Sequence, residues 1–468
     1  MYCIIENPIF AIIKSLSIKN ENYKVKFACN NSIFLFLLCF LFDLTSIVAQ
    51  DDKISPLEVK FVRIYGEDNE SLPPILLIKS PDATANTNIG NNTLTLEIDI
   101  YANIPPTLFA TFVHCDMNWE EDANNFINNP AMMRTSDFFW ESSPNSNSYY
   151  SHRGTLTFPN TQLQFRYSGN WKVKLFDYYS PDKLIAEAKF FVVEPIVPVQ
   201  MDFTSTMYNS EFNVINSAFN IDARIIAPPK ILNSQLKNFV IYRNFRWNEP
   251  YIISESYSDR YINPFYKYTF PIMVSGFSNV EKRFSIFNIP AENVYRVLDM
   301  SNLAQYPSGS YLVQMPFSDL IRNGNYWETD DDGAMITRFV SGSEDDYIYM
   351  EFVLDPVGIL SDEDVFISGS FNNWSPDKDW QMYFDKETQT YRLKQWVRRA
   401  RHNYLYGTGI YNPDTQKFEN VSFDKYEGNN VYSNHSFIGL VYYRSMDLGG
   451  YDAIIGATIT NPFGVGYF

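Results

Sequence analysis

The sequence predicts an all-β protein made of three consecutive β-sandwiches, and three observations carry that reading. Aromatic residues make up 17% of the 468-residue chain, and aromatic and β-branched side chains pack well on the pleated surface of a sheet. Short stretches alternate apolar and polar residues with a period of two, the mark of a half-buried strand. Long helical periodicity is missing, and Asn293–Ala304 is the best short candidate for a helix.

The elements follow in order. Ile33–Phe42 is a ten-residue apolar run, half the roughly twenty residues a membrane-spanning helix needs. Lys24 and Lys26 precede it and Ala49 follows, so residues 1–50 read as a signal peptide. Lipidation at Cys39 is disfavoured because Leu38 stands where a small residue is wanted. Leu57–Gly66, Leu94–Ala102, Gln162–Ser168, Asn170–Asp177 and Lys189–Pro195 then alternate as strands, and Pro195 and Pro198 mark a boundary. Residues 51–198 form the first expected sandwich. Ala218–Ile225, Asn238–Phe245 and Arg283–Ile289 supply a second, residues 199–340, with a strand–turn–strand expected around Asp332-Gly333. The acidic Ser341–Asp346 reads as a linker. Tyr347–Leu354, Asp364–Phe371, Thr390–Val397, His402–Gly409 and Phe437–Ser445 build the third, residues 341–468.

Charge and cysteine content exclude several function classes. The chain carries a net charge of −17; residues 1–50 hold four lysines and three acids, so the remainder carries −18. Such a surface repels phosphate backbones, so nucleic acid is not an expected partner. No later stretch is long enough to span a membrane, and direct membrane insertion is not expected. Beyond residue 50 only Cys115 remains, so no internal disulfide can form.

Little in the chain looks like catalysis. His114-Cys115 pairs a thiol with an imidazole, but neighbours on a strand point to opposite faces, and a core role for the Cys is expected. Thr329–Gly333, "TDDDG", lacks the Gly and Glu spacing of an EF-hand. GxSxG, HExxH, Walker A and CxxC motifs are absent. We expect no enzyme activity, no cofactor and no metal.

Two resemblances refine this. "DVFISGSFNNWSP", Asp364–Pro376, resembles the strand and turn of glycogen-binding domains of the early-set, immunoglobulin-like class. In that class the Trp, here Trp374, stacks on a glucose ring, and a Lys on a second strand bonds sugar hydroxyls. The matching strand is "RHNYLYGTG": His402 and Tyr404 keep the pattern, but Leu405 stands in place of the Lys. A leucine cannot donate the ammonium's hydrogen bonds. The resemblance therefore implies an early-set fold for the third sandwich, and glycan binding is not expected.

The second resemblance is distributed. "HCDMNWEED", "YYSHRGTLTFPN", "SGNWKVKLFD", "KFFVVEP", "NFVIYRNFRWNEP", "DVFISGSFNNW" and "VYYRSMDLGGYD" occur in that order between about residues 55 and 460. This order is similar to the periplasmic plug proteins of the Bacteroidota type IX secretion system. The resemblance implies a periplasmic protein, peripheral to the outer membrane, that closes the periplasmic end of the translocon β-barrel by protein–protein contact. Interfaces of that kind are anchored by aromatic side chains and Arg. The expected partner surface is Trp374, Trp380, Trp396, Arg398, Arg399, Arg401, Tyr442 and Tyr443, with the three arginines of the basic "WVRRARH" stretch its strongest members because Arg is hard to bury. The alternative is a periplasmic or surface glycan-binding protein using the early-set module.

Overall fold

The computed structural model describes residues 57–468 except 145–148, 208–216, 277–280, 323–325, 327–332 and 463–468. The expected signal peptide and most of the 329–333 turn lie outside the described residues.

Nine strands make the first sandwich: β1 (Glu58–Gly66), β2 (Ile75–Leu77), β3 (Leu94–Tyr101), β4 (Leu108–Cys115), β5 (Arg134–Thr135), β6 (Phe139–Ser142), β7 (His152–Phe158), β8 (Gly169–Asp177) and β9 (Ser180–Val193). One sheet has the order β1-β3-β7-β6 and the other β2-β9-β8-β4-β5. Their inner faces meet through aromatic side chains, with Phe112 of β4 edge-on to Phe158 of β7 at 5.0 Å. Such offset and edge-on contacts suit the ring quadrupole.

The chain then builds β10 (Val199–Met207), β11 (Ser217–Ile226), β12 (Leu236–Arg243), β13 (Tyr251–Ser254), β14 (Arg260–Tyr261), β15 (Phe270–Ser275) and β16 (Glu281–Pro290). Strands β10-β11-β16-β15-β14 form one sheet. Next come β17 (Arg296–Asp299), β18 (Val313–Gln314), β19 (Asp319–Leu320), β20 (Tyr347–Asp355), β21 (Asp364–Gly369), β22 (Tyr383–Asp385), β23 (Thr390–Arg398), β24 (Arg401–Asn412) and β25 (Lys417–Ser422), a one-turn helix α1 (Asp424–Glu427), then β26 (Phe437–Ser445) and β27 (Tyr451–Thr460).

Strand pairing departs from chain order here. β26 and β27 do not join the third sandwich. They pair with β12 and β13 in the order β13-β12-β26-β27, with Phe239 opposite Val441 and Ile241 opposite Gly439. This sheet closes over β11 and β16, with Phe219 packed 5.6 Å from Phe437 and Phe239 stacked 6.0 Å from Phe284. The middle sandwich is therefore discontinuous, and the third, made of β17–β25, is inserted between β16 and β26. The expected boundary at 340/341 is crossed again by β17, which pairs with the start of β24, and by β18 and β19, which pair parallel with β20. One apolar core runs through the first and middle sandwiches, and two separate clusters lie in the third.

Three local expectations are corrected. Asn293–Ala304 is not a helix: Arg296–Asp299 is strand β17, and Asn293, Val294, Tyr295, Arg296, Leu298 and Met300 are all buried whatever face they would occupy. Gln162–Ser168 forms no strand. Leu163 and Phe165 do enter the core there, so its alternation records burial without a hydrogen-bonded ladder. Ser341–Asp346 is not a free linker, because Asp345 and Asp346 are engaged by buried arginines or their neighbours, as described next.

Candidate functional site

The FNNW turn is the natural starting point. β21 ends in a single 3-10 turn, and Asn373 and Trp374 follow with φ of 52° and 53°. Left-handed backbone at a bulky residue is strained and persists only where its surroundings over-determine it. Here they do. The Trp374 ring is 1% exposed and lies 4.6 Å from Tyr295, and its Nε1–H donates to the Gly333 carbonyl at 2.8 Å. The Arg246 guanidinium sits 5.8 Å from its centroid. Leu405 is fully buried in the same cluster, with Phe366, Phe418, Val421 and Phe423. Both positions that would meet sugar in a glycogen-binding domain thus serve as core, and neither presents an exposed ring or donor at the surface.

The arginines expected at the partner surface are also inside. Arg398, 3% exposed, donates through Nε and Nη2 to both oxygens of Asp345, at 3.0 and 2.9 Å, and through Nη1 to Glu97 of β3. Glu97 also accepts from Arg63 Nε at 2.9 Å, and Arg63 continues to Glu70 at 2.6 Å and to the Met335 carbonyl at 2.8 Å. Arg153 grips Asp99 with two bonds, at 2.5 and 2.9 Å, and reaches Asp345 as well. Tyr347 closes the group by donating to Asp99 at 2.7 Å. Burial alone would push the Glu97 carboxyl up; Arg398, then Arg63 and Arg153, outweigh it and hold it well below the usual carboxylate range. The network bolts the third sandwich onto the first.

Arg399 is equally buried, donating to the carbonyls of Glu344 and Met300 and to Ser308 Oγ. Arg401 is half-buried, its backbone paired with Ile336. Trp380 stacks on Phe371 at 4.6 Å. Trp396 is half-buried between Tyr149 and Tyr349. Tyr442, in the common core, donates to Asn170 Oδ1 at 2.6 Å and so ties the middle sandwich to the first. Tyr443 packs half-buried against that core. Trp374, Trp380, Arg398, Arg399 and Tyr442 are thus interior, while Trp396, Arg401 and Tyr443 are half-buried. Two of them serve an interface inside the molecule: Arg398 joins the third sandwich to the first and Tyr442 joins the middle sandwich to the first.

Two further buried networks escaped sequence reading. Arg243 and Arg246 share Glu292, and Arg246 also holds Glu249. Arg296 binds Glu427 at 2.9 Å and Asp319 at 3.3 Å, and Tyr404 and Tyr406 both donate to Asp319. Each joins segments far apart in the chain, which is why no local motif announced them.

A cavity of about 230 Å³ opens beside the FNNW turn where the three sandwiches meet. Tyr65, Lys189, Trp247, Asn248, Asn373 and Trp374 contribute to its lining. Burial first, then Lys417 and Lys172, pull the Lys189 ammonium down to about 8. Its volume lies below the 300 Å³ at which small-molecule pockets usually begin. Elsewhere, His114 is held by Asp122 and by the Ser168 carbonyl at 3.1 Å rather than by Cys115. Burial pushes the Cys115 thiol up to about 12, the reverse of an activated nucleophile.

The apolar side chains that do reach solvent are different ones. Phe126 and Met132 lie on the loop after β4, and Asn124 of that loop donates to the Leu448 carbonyl at 2.7 Å, bringing it against the β26–β27 turn where Met446 and Leu448 are exposed. At the far end of the third sandwich, β19 lies beside the end of β20; Phe317 precedes β19, Leu320 ends it, and Val357, Ile359 and Leu360 follow β20, all of them exposed.

These features define a class: an all-β assembly of three sandwiches bolted together by buried ion networks, with exposed apolar patches at loop ends. Residues 59–194, which span the first sandwich, match the family model of the type 9 secretion system plug protein 1st domain. A crystal structure of a hypothetical protein from Parabacteroides merdae ATCC 43184 has the same fold, with a TM-score of 0.65 at 19% identity over 87% of this chain and 97% of that one. No curated protein matches the chain.

Proposed function

We propose that this protein stops the periplasmic end of the type IX translocon barrel by protein–protein contact, with no chemistry of its own. The observation that carries the proposal is the match of residues 59–194 to a plug protein first domain. The physical features support it. A stopper must keep its shape under load, and breaking a buried, hydrogen-bonded charge network costs several kcal/mol because it strands the remaining charges. Three such networks hold this chain together. A seal also needs a contact larger than the roughly 1,600 Å² of a standard complex. With Trp374, Arg398, Arg399 and Tyr442 internal, the anchors of that contact are the exposed apolar ends around Phe126 and Met446, or around Phe317 and Val357. The protein acts in the periplasm, peripheral to the outer membrane. The glycan-binding alternative loses its support with the burial of Trp374 and Leu405.

The test is co-purification of the tagged protein with the translocon barrel, combined with entry of a bulky antibiotic into cells lacking the gene. Barrel recovery and raised permeability are expected. An unchanged permeability with no barrel recovered refutes the proposal.

A further inference from the structure

Among the described residues, strand β10 is a long sheet edge left open. It pairs with β11 along all nine residues without a register shift, from Val199 opposite Ile225 to Met207 opposite Ser217. On its other side, no backbone or side-chain group among the described residues bonds to it. Exposed edges of this kind invite pairing with another chain, and native proteins guard them with Lys, Pro, bulges or cover. The other long edges here are managed in these ways. β27 is capped along its length, its carbonyls taken by Thr87, Asn88, Glu194, Ile196 and Val197. β25 is covered by Pro264, Phe265 and Lys267. β1 carries a bulge and Lys60, and Asn373 binds its Val62 carbonyl. The outer part of β9 contains Pro181, Lys183 and Lys189, and its pairing with β8 is bulged twice. β10 contains neither Pro nor Lys, and its one charge, Asp202, is neutralised by Arg224.

We infer that β10 accepts an extended segment of the translocon barrel as an added strand. This rests on the proposed function for the identity of the partner, while the open edge stands without it. About every second residue of β10 points its N–H and C=O outward, giving four or five backbone pairs. Main-chain bonds supply affinity in such β-augmentation, and alternate side chains supply specificity. Val199, Met201 and Phe203 face the core, and Gln200, Asp202 and Thr204 face solvent. The incoming strand must alternate in the same sense, apolar toward the sandwich and polar outward. A second copy of this chain is the weaker occupant, because two bodies of net charge −17 repel each other.

The experiment uses the full chain and the purified translocon barrel. Amide hydrogen exchange over 199–207 is compared with and without barrel, alongside Thr204→Pro and Ser205→Pro. Adjacent residues point their N–H groups to opposite sides of the strand. One proline therefore breaks the β10–β11 ladder and lowers the melting temperature, while the other removes only an outward donor. Protection of β10 in the complex is expected, with at least a tenfold loss of barrel affinity in the proline variant that melts like wild type. Wild-type affinity in that variant, or β10 amides that exchange as fast in the complex as alone, overturns the inference and leaves the plug reading standing. Should both prolines unfold the protein, the exchange result decides by itself. No barrel binding by wild type overturns both. A wild-type dimer that the well-folded proline variant dissolves assigns the edge to self-association and overturns the inference.

Discussion

Arg398 of β23 donates to Glu97 of β3, a partner 301 residues away in the chain. With Asp345, Arg63, Arg153 and Asp99 it forms a joint between the third and first sandwiches that contains no solvent-facing charge to spare. A buried pair of this kind adds little net stability over an apolar replacement, yet losing one partner is costly.

Arg398→Ala is therefore expected to lower unfolding free energy by about 3–5 kcal/mol, because Glu97 and Asp345 are left without their main countercharge. Adding Glu97→Gln should recover part of that loss, since one stranded charge is removed. Urea titration of the two single variants and the double variant measures the coupling. Additive losses would mean that the two residues do not act together.

Trp374→Ala is expected to cost about 3–5 kcal/mol, the range for emptying a large buried aromatic site. Leu405→Lys restores the residue a glycogen-binding domain would carry, but here it buries an ammonium among Phe366, Phe418 and Phe423. It should destabilise the protein and create no sugar site. Calorimetry with maltoheptaose is expected to show no binding for wild type or for either variant. Millimolar binding abolished by Trp374→Ala would contradict the buried position of the ring.

Cys115 is fully buried, with its thiol pushed up to about 12. In the chain lacking residues 1–50 it is the single cysteine. At pH 8 a thiol reagent should label the denatured protein to one equivalent and the native protein only at the rate of its unfolding. Rapid native labelling would mean an open, reactive thiol.

The sequence was legible wherever a property is local. Apolar and alternating stretches located the long strands: Gly169–Asp177 buries alternate side chains along its middle, while Tyr347–Asp355 is buried on both faces and is marked by its run of apolar and aromatic residues. They could not say that Phe437–Ser445 pairs with Leu236–Arg243, since strand signals carry no address for a partner some two hundred positions away. Arg398 and Arg399 were misplaced on the surface for the same reason. Arg is rarely buried unless paired; Arg398 finds Glu97 in the first block and Asp345 in what reads as a linker, and Arg399 is satisfied by carbonyls and a serine that no local pattern marks. Leu405 in place of a sugar-binding Lys was a readable sign of a converted site, and its burial with Trp374 gives the physical reason for the change.

Acid should act on this protein through His402 and His435. Burial, the leading cause for both, holds the first imidazole down at about 4 and the second at about 3. Each is satisfied as a neutral ring. His402 Nε2–H donates to the Arg398 carbonyl and Nδ1 accepts from Ser370 Oγ, while His435 Nε2–H donates to the Asn293 carbonyl and Nδ1 accepts from Asn244 Nδ2. The unfolded chain protonates near 6.5, so the contribution of each ring is complete above that pH and falls as pH drops toward the folded value. At pH 5 the loss is roughly 2 kcal/mol per histidine. Glu249 works in the opposite sense. Burial, against the pull of Arg246, holds its carboxyl up at about 7, so its contribution is complete below the unfolded value and is lost as pH rises toward 7. The net wild-type slope mixes these terms, and the variants separate them. His402→Gln and His435→Gln should each remove roughly 2 kcal/mol of the change in unfolding free energy between pH 7 and pH 5. Glu97 and Asp345, held low by their arginines, add acid sensitivity only below the ordinary carboxylate range and leave that window clear. Urea midpoints across pH 5–7.5 measure the slopes, and a histidine variant with the wild-type slope would show that its ring is not held neutral in the fold.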